Sequence, residues 1–137
     1  MAQEITVGIK KLIDEANAEI ETLTVEQAIA LHGRDDVTIV DLRDPREMER
    51  EGHIPGTFHC PRGMLEFWID PESPYHKEIF SSGKSFVFFC AAGWRSALAT
   101  KTAQDMGLDK VAHVEGGFGA WREAGLPIEA LPERKKD

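Results

Sequence analysis

Apolar residues recur at helical spacing near the start of the chain. Between residues 5 and 20 they follow the i, i+3, i+4 pattern of one helix face, with charged residues between them: Ile5, Ile9, Leu12, Ile13, Ala16 and Ile20. This period indicates an amphipathic helix. Because no chemical motif falls on it, we predict an accessory or dimerising helix that packs on the main domain.

Further along, short runs of β-branched and aromatic residues replace the helical period. Residues 37–42, 85–90 and 111–114 predict buried strands, and residues 57–60 predict a short extended stretch. Between these runs, helical spacing and capping residues predict helices at 24–32, 44–51, 64–69 and 95–106 and around Trp121. Strands that alternate with helices are typical of an α/β domain with a mainly parallel sheet.

The composition narrows the class of protein. The 137 residues are 42% hydrophobic and 29% charged, which suits one folded domain. No apolar run approaches the roughly 20 residues that span a bilayer, and the start does not resemble a signal peptide, so we expect a cytoplasmic location and no membrane partner. The net charge is −8 and the basic residues are not clustered, which argues against nucleic acid as a partner.

The two cysteines, Cys60 and Cys90, do not form a disulfide framework or a pattern with zinc spacing. Cys90 ends the strongest predicted strand, where ligands bind in parallel sheets. The backbone N–H groups of residues 91–96 can form a nest for an anion there, and the following helix adds its positive N-terminus. Arg95 adds a charge, and Gly93 permits a tight turn. We therefore predict a Cys90 thiolate that acts as a nucleophile.

Four segments together resemble the rhodanese family. The first is the loop at 90–96, Cys-Ala-Ala-Gly-Trp-Arg-Ser, which is similar to the active-site loop of that family. The others are Asp-Leu-Arg at 41–43 with Glu47 following, Gly-His-Ile-Pro-Gly at 52–56, and the Gly-Gly-x-x-x-Trp segment within 115–121. The resemblance covers about residues 23–128.

This resemblance implies a central, mainly parallel five-stranded sheet with helices on both faces, preceded by the extra N-terminal helix. We accordingly divide the chain into an accessory helix (1–22), a rhodanese domain (23–130) and a charged tail (131–137). The implied activity moves sulfane sulfur from thiosulfate or a persulfide to cyanide, a thiol or a protein, through a persulfide on Cys90. Neither a metal nor an organic cofactor is implied, and a homodimer is an open expectation.

The candidate site comprises Cys90 as catalytic residue and the loop residues that follow it as the anion site: Ala91, Ala92, Gly93, Trp94, Arg95 and Ser96. Arg95 is expected to steady the bound anion, the alternative being an ion pair with an acidic residue. Trp94 could form an apolar wall of the pocket or dock the loop on the core. The two alanines supply no further cation, which makes the loop less suited to dianionic thiosulfate.

Three supporting residues are predicted outside the loop. Asp41 is expected to brace the loop or Arg95, with direct catalysis as the less favoured role. Arg43 is expected to be a positioning or ion-pair residue, with substrate contact as the less favoured role. The ring of His53 is expected to bond backbone groups, with general-base catalysis as the less favoured alternative. Cys60 departs from the family pattern; we expect it to be a packing residue, with a resolving thiol as the alternative.

Two rival functions use a similar pattern. Cysteine phosphatases place five residues between Cys and Arg to accommodate a tetrahedral phosphate, whereas four residues separate Cys90 from Arg95. A non-catalytic or redox-sensing binding module is the other rival, and retention of both Cys90 and Arg95 argues against it.

Overall fold

Among residues 1–131, the part of the chain that the computed structural model describes, five strands form one sheet. The strands are β1 (Glu21–Leu23), β2 (Val37–Asp41), β3 (Phe58–His59), β4 (Ser85–Phe89) and β5 (Val111–Val114). Their order is β1-β5-β4-β2-β3, and every neighbouring pair is parallel. The predicted fold class is therefore confirmed. The charged tail predicted at 131–137 lies outside the described residues except for residue 131.

Six α-helices accompany the sheet within the same described range. They are α1 (Ile9–Glu19), α2 (Val25–Leu31), α3 (Pro45–Glu51), α4 (Leu65–Ile69), α5 (Trp94–Asp105) and α6 (Gly117–Glu123). Two short 3-10 helices lie at Arg62–Met64 and Glu78–Ser81. Capping boxes start α2 at Thr24 and α3 at Asp44, because each side chain accepts a backbone N–H that the first turn leaves unpaired.

The two faces of the sheet carry separate apolar clusters. Along β4, Phe86 and Phe88 join one cluster with residues of α4 and α5, whereas Val87 and Phe89 join the other with residues of α2 and α6. Successive side chains of a strand point to opposite faces, so a strand covered on both sides is apolar throughout. This explains the continuous apolar run at 86–90.

The N-terminal segment differs from the prediction at both ends. Helix α1 begins at Ile9 rather than residue 5, and residues 21–23 form the edge strand β1 beside β5. The sheet therefore crosses the predicted boundary at residue 22. Only Leu23 of β1 is buried, so the strand lacks the apolar run that would reveal it. Helix α1 packs on α5 through Ile13 and Ala16. None of the described helices has the length and apolar character to cross a membrane.

Candidate active site

Cys90 lies immediately after β4, and its side chain is buried, with 1% of its surface exposed. Its Sγ accepts the backbone N–H of Gly93 at 3.2 Å and that of Ser96 at 3.4 Å. Gly93 has φ +112°, a conformation that L side chains rarely adopt, and it precedes the first turn of α5. The short loop thus folds back so that two of its N–H groups and the α5 N-terminus point at the sulfur.

The turn before α6 supports this loop from behind. The N–H groups of Phe118 and Gly119 donate to the carbonyl oxygens of Cys90 (2.8 Å) and Ala91 (3.1 Å). Gly117 has φ +55°, and a Cβ there would overlap the Cys90 carbonyl oxygen. The Gly-Gly pair therefore lets the α6 turn approach the Cys90 loop at backbone contact distance.

Arg95 is held by Glu47 of α3. Its two terminal nitrogens each donate to one Glu47 carboxylate oxygen, both at 2.8 Å. The hydrogen bonds from Arg95 hold the pKa of the Glu47 carboxyl down at about 2. The same bonds raise the pKa of Arg95, with a smaller contribution from the nearby Cys90. Of the two interpretations of Arg95, the structure shows the ion pair; contact with a bound anion remains a prediction.

Asp41 and Arg43 form a pair with no exposed surface. The Arg43 guanidinium donates to both Asp41 carboxylate oxygens and to the Gly52 carbonyl, and it lies 3.9 Å from the centroid of the Phe118 ring. The pair therefore ties the end of β2 to the turn at Gly52 and to α6. The structure thus shows the expected ion pair, and support of the Cys90 loop by this pair stays a prediction.

Two other predicted residues take defined positions. The backbone N–H and C=O of His53 bond Glu129 at 2.8 and 2.9 Å, so the main chain, rather than the predicted ring, makes these contacts. The Trp94 side chain is 57% exposed and lines a cavity of about 390 Å³ beside the loop. This exposure argues against docking of the loop on the core by Trp94, and its role as a wall of the substrate pocket stays a prediction.

Cys60 is fully buried in the apolar cluster that includes Leu65 and Phe88. Burial raises the pKa of the Cys60 thiol to about 12. A thiol that stays protonated is a poor nucleophile. The position thus supports the packing interpretation and not that of a resolving thiol.

The sequence interpretation missed His113. This residue lies in β5 opposite Phe88 of β4, two residues before Cys90, and only 3% of its surface is exposed. Its Nδ1 lies 2.9 Å from Ser96 Oγ, which in turn lies 3.6 Å from Cys90 Sγ. Burial lowers the pKa of the His113 imidazole. The available signal was a polar residue near the carboxyl end of an otherwise apolar strand.

A family model described as the rhodanese-like domain matches residues 24–124 of the chain. Among curated proteins, an uncharacterised protein of Synechocystis is 32% identical over 82% of the chain. The thiosulfate sulfurtransferase/rhodanese-like domain-containing protein 3 of Mus musculus is 28% identical over 72% of it. The chain spans 56% and 66% of the lengths of these two relatives.

Solved structures show the same similarity. A Rhodopseudomonas palustris protein of unknown function, named a possible tyrosine phosphatase, is 70% identical with a TM-score of 0.91, covering 94% of this chain and 99% of that one. The homodimeric polysulfide-sulfur transferase of Wolinella succinogenes is 30% identical with a TM-score of 0.66, covering 88% and 85%. A single-domain sulfurtransferase of Saccharomyces cerevisiae is 25% identical with a TM-score of 0.61, covering 77% and 91%.

Proposed function

Because the chain belongs to the rhodanese-like family, we propose that it transfers sulfane sulfur through a persulfide on Cys90. In the first step the Cys90 thiolate attacks the outer sulfur of the donor. A new S–S bond forms, and the donor's own bond to that sulfur breaks as its remainder leaves with the electron pair. In the second step a thiolate or cyanide attacks the terminal sulfur, and the Cys90 thiolate leaves.

The observation that carries this proposal is the pair of backbone N–H groups, from Gly93 and Ser96, that donate to Cys90 Sγ. Hydrogen bonds to an anionic sulfur are stronger than those to a neutral thiol. The N-terminus of the 12-residue helix α5 adds a positive partial charge. The same donors would hold the terminal sulfur of a persulfide, which is also anionic.

The local charge favours a persulfide or polysulfide donor over thiosulfate. Arg95 is the cation that the loop itself carries, and Glu47 neutralises it. Ala91 and Ala92 add no charge, and the chain as a whole carries −8. Dianionic thiosulfate therefore gains little electrostatic binding energy at this site. A single terminal anionic sulfur, by contrast, can accept hydrogen bonds from the backbone N–H donors. The 30% identical Wolinella protein is a polysulfide-sulfur transferase.

The acceptor side and the oligomer are also proposals. The exposed Trp94 offers an apolar contact for a thiol or protein acceptor beside the loop.

Helix α1 leaves Ile9 and Leu12 nearly half exposed, and we propose that a second copy covers them, as in a homodimer. Sedimentation velocity on the protein and on a Leu12→Glu variant tests this: the variant is expected to sediment as a monomer. The cytoplasmic location stays a prediction.

A cysteine phosphatase is the second candidate, because the 70% identical Rhodopseudomonas protein is named a possible tyrosine phosphatase. Both kinds of site place a Cys, a short anion loop and an Arg between a strand and a helix. The four-residue spacing between Cys90 and Arg95 makes a smaller ring than a tetrahedral phosphate requires. The carboxylate of Glu47 on Arg95 would also have to be displaced before that cation could contact phosphate.

Intact mass spectrometry tests the proposal. The reduced protein is incubated with glutathione persulfide or with thiosulfate, and cyanide is added afterwards. We expect wild type and Cys60→Ser to gain one sulfur that cyanide removes, with faster loading from the persulfide, and Cys90→Ser to gain none. Absence of loading together with aryl-phosphate hydrolysis that depends on Cys90 would establish the phosphatase instead.

A further inference from the structure

A chain of polar groups connects the buried Cys90 thiol to the surface near α1. Ser96 Oγ lies 3.6 Å from Cys90 Sγ and 2.9 Å from His113 Nδ1. On the other side of the ring, His113 Nε2 lies 3.2 Å from both Thr22 Oγ1 and Asn17 Oδ1. Ser96 and His113 are buried, whereas Thr22 and Asn17 are exposed and line the cavity beside the loop. The chain thus runs from the thiol to solvent.

The hydrogen-bond partners allow one continuous arrangement of protons in this chain, in which the Ser96 hydroxyl donates to His113 Nδ1 at 2.9 Å instead of to the Gly93 carbonyl at 3.2 Å. The carboxamide oxygen of Asn17 only accepts, so Nε2 of a neutral His113 carries the proton and donates to it. Nδ1 then has a free lone pair and accepts the Ser96 hydroxyl. A Ser96 Oγ whose proton points at His113 has lone pairs available for the Cys90 S–H. Each group in the chain is therefore matched as donor or acceptor to the next.

We propose that His113 is a positioning residue that releases the Cys90 thiol proton to solvent by exchanging its two neutral tautomers through Ser96. The thiol proton moves to Ser96 Oγ, the Ser96 proton moves to His113 Nδ1, and the Nε2 proton leaves to water beside Asn17. Cys90 loses one proton in total, and the imidazole is neutral before and after. The Ser96 hydroxyl then donates to the thiolate, and Nδ1–H donates to Ser96 Oγ.

The groups around the relay are compatible with a neutral imidazole. Glu115 lines the same cavity at an exposed position. Arg95 of α5 interacts with the charges of Cys90 and of Asp41 at the end of β2, and Glu47 of α3 neutralises it. No charged partner among the described groups makes a hydrogen bond to His113, whose ring faces a hydroxyl on α5, a hydroxyl on β1 and an amide on α1. Through Asn17, the accessory helix becomes part of the site.

The pH dependence of Cys90 alkylation by iodoacetamide, read by peptide mass spectrometry, tests the relay. We expect His113→Phe to raise the apparent pKa of Cys90 by about one unit, a tenfold lower thiolate fraction, because Ser96 loses the Nδ1–H donor that strengthens its bond to the thiolate. Ser96→Ala should raise it by at least as much. The double variant should match Ser96→Ala, because His113 acts only through Ser96. Additive shifts, or an unchanged profile in a folded His113→Phe protein, would overturn the proposal.

Nitrogen NMR of the His113 ring gives a second readout that loss of structure does not imitate. In wild type, the signal should change from the Nε2–H to the Nδ1–H tautomer as Cys90 ionises, and in Cys90→Ser it should not. Asn17→Leu should mix the two tautomers before ionisation, whereas Ala18→Leu, on the next exposed position of α1, should not. A His113 tautomer that does not change when Cys90 ionises in wild type would refute the relay.

This inference rests on the proposed function only in treating Cys90 as the nucleophile. Alkylation and ring NMR require no sulfur donor, so the two ideas fail separately. If Cys90 takes up persulfide sulfur but the His113 tautomer does not change with Cys90 ionisation, only the relay is overturned. If the His113 tautomer changes with Cys90 ionisation but no persulfide forms on Cys90, the relay stands and the proposed sulfurtransferase activity is overturned.

Discussion

The guanidinium of Arg95 and the carboxylate of Glu47 face each other through two nitrogen–oxygen contacts of 2.8 Å, although 48 positions separate them in the chain. The charge that the loop brings to the site is therefore balanced by a different helix. This pairing sets the electrostatics of the Cys90 loop, and separate measurements can test its effect on donor choice and on stability.

Opposite changes in thiosulfate use are expected from the two halves of the pair. Glu47→Gln frees the Arg95 charge and should lower the KM for thiosulfate about fivefold. Arg95→Ala leaves an unpaired carboxylate near the loop and should raise this KM about fivefold. Both factors correspond to the contribution of a partly exposed charge, on the order of 1 kcal/mol. Steady-state kinetics with thiosulfate measure the KM of both variants. A monoanionic persulfide donor is the control, and its KM should change less in either variant. Equal effects of the two variants would contradict the charge argument.

Acid should weaken the fold through Glu47. The pKa of this carboxyl is lowered from 4.5 to about 2, so its pairing stabilises the folded state fully above pH 4.5. The contribution is lost as the pH falls from 4.5 towards 2, because the unfolded chain takes up the proton first. Urea unfolding across this window should show a smaller loss of stability for Glu47→Gln than for wild type. Glu72→Gln, on an exposed turn, is the control and should follow wild type.

Gly117→Ala should damage the Cys90 loop. The added Cβ would overlap the Cys90 carbonyl oxygen and lie 3.0 Å from the Ala91 carbonyl oxygen, at a backbone φ of +55°. Gly125→Ala provides a matched control, because Gly125 has φ +78° and a Cβ added there would meet no atom within 4 Å. Thermal unfolding should show the left-handed cost of about 1–2 kcal/mol for the control. Gly117→Ala should lose more stability and also lose persulfide loading, and equal losses would contradict the overlap.

Removal of Arg43 should unfold much of the protein. Arg43→Met leaves the fully buried Asp41 carboxylate without its cation, which costs about 3–5 kcal/mol in comparable buried pairs. Arg34→Met removes an equally bidentate partner from Asp36, but both side chains are more than half exposed, so the cost should stay below about 1 kcal/mol. Denaturant titration measures both variants. A similar small loss at Arg43 would show that the buried pair contributes little to the stability of the fold.

Local sequence patterns alone predicted the helix caps, the buried strands and the position of Cys90. Capping at Thr24 and Asp44 depends on residues three positions away, and the strands predicted at 37–42 and 85–90 are mostly apolar because both sheet faces are covered. The position of Cys90 at a strand end follows from the same runs. The sequence therefore predicted the parallel α/β fold and the loop that surrounds the sulfur.

Only the tertiary structure decided which groups face one another across that loop. The edge strand β1 has a single buried residue and thus no apolar pattern, yet it brings Thr22 to His113 across 91 positions. Asn17 reaches the same ring from 96 positions away. These contacts depend on the order of strands in the sheet and on where α1 packs, and a local pattern of polar and apolar residues does not encode either. The place of Cys90 at the end of a buried strand was therefore predictable from the sequence, whereas the partners of Ser96 and Arg95 were not.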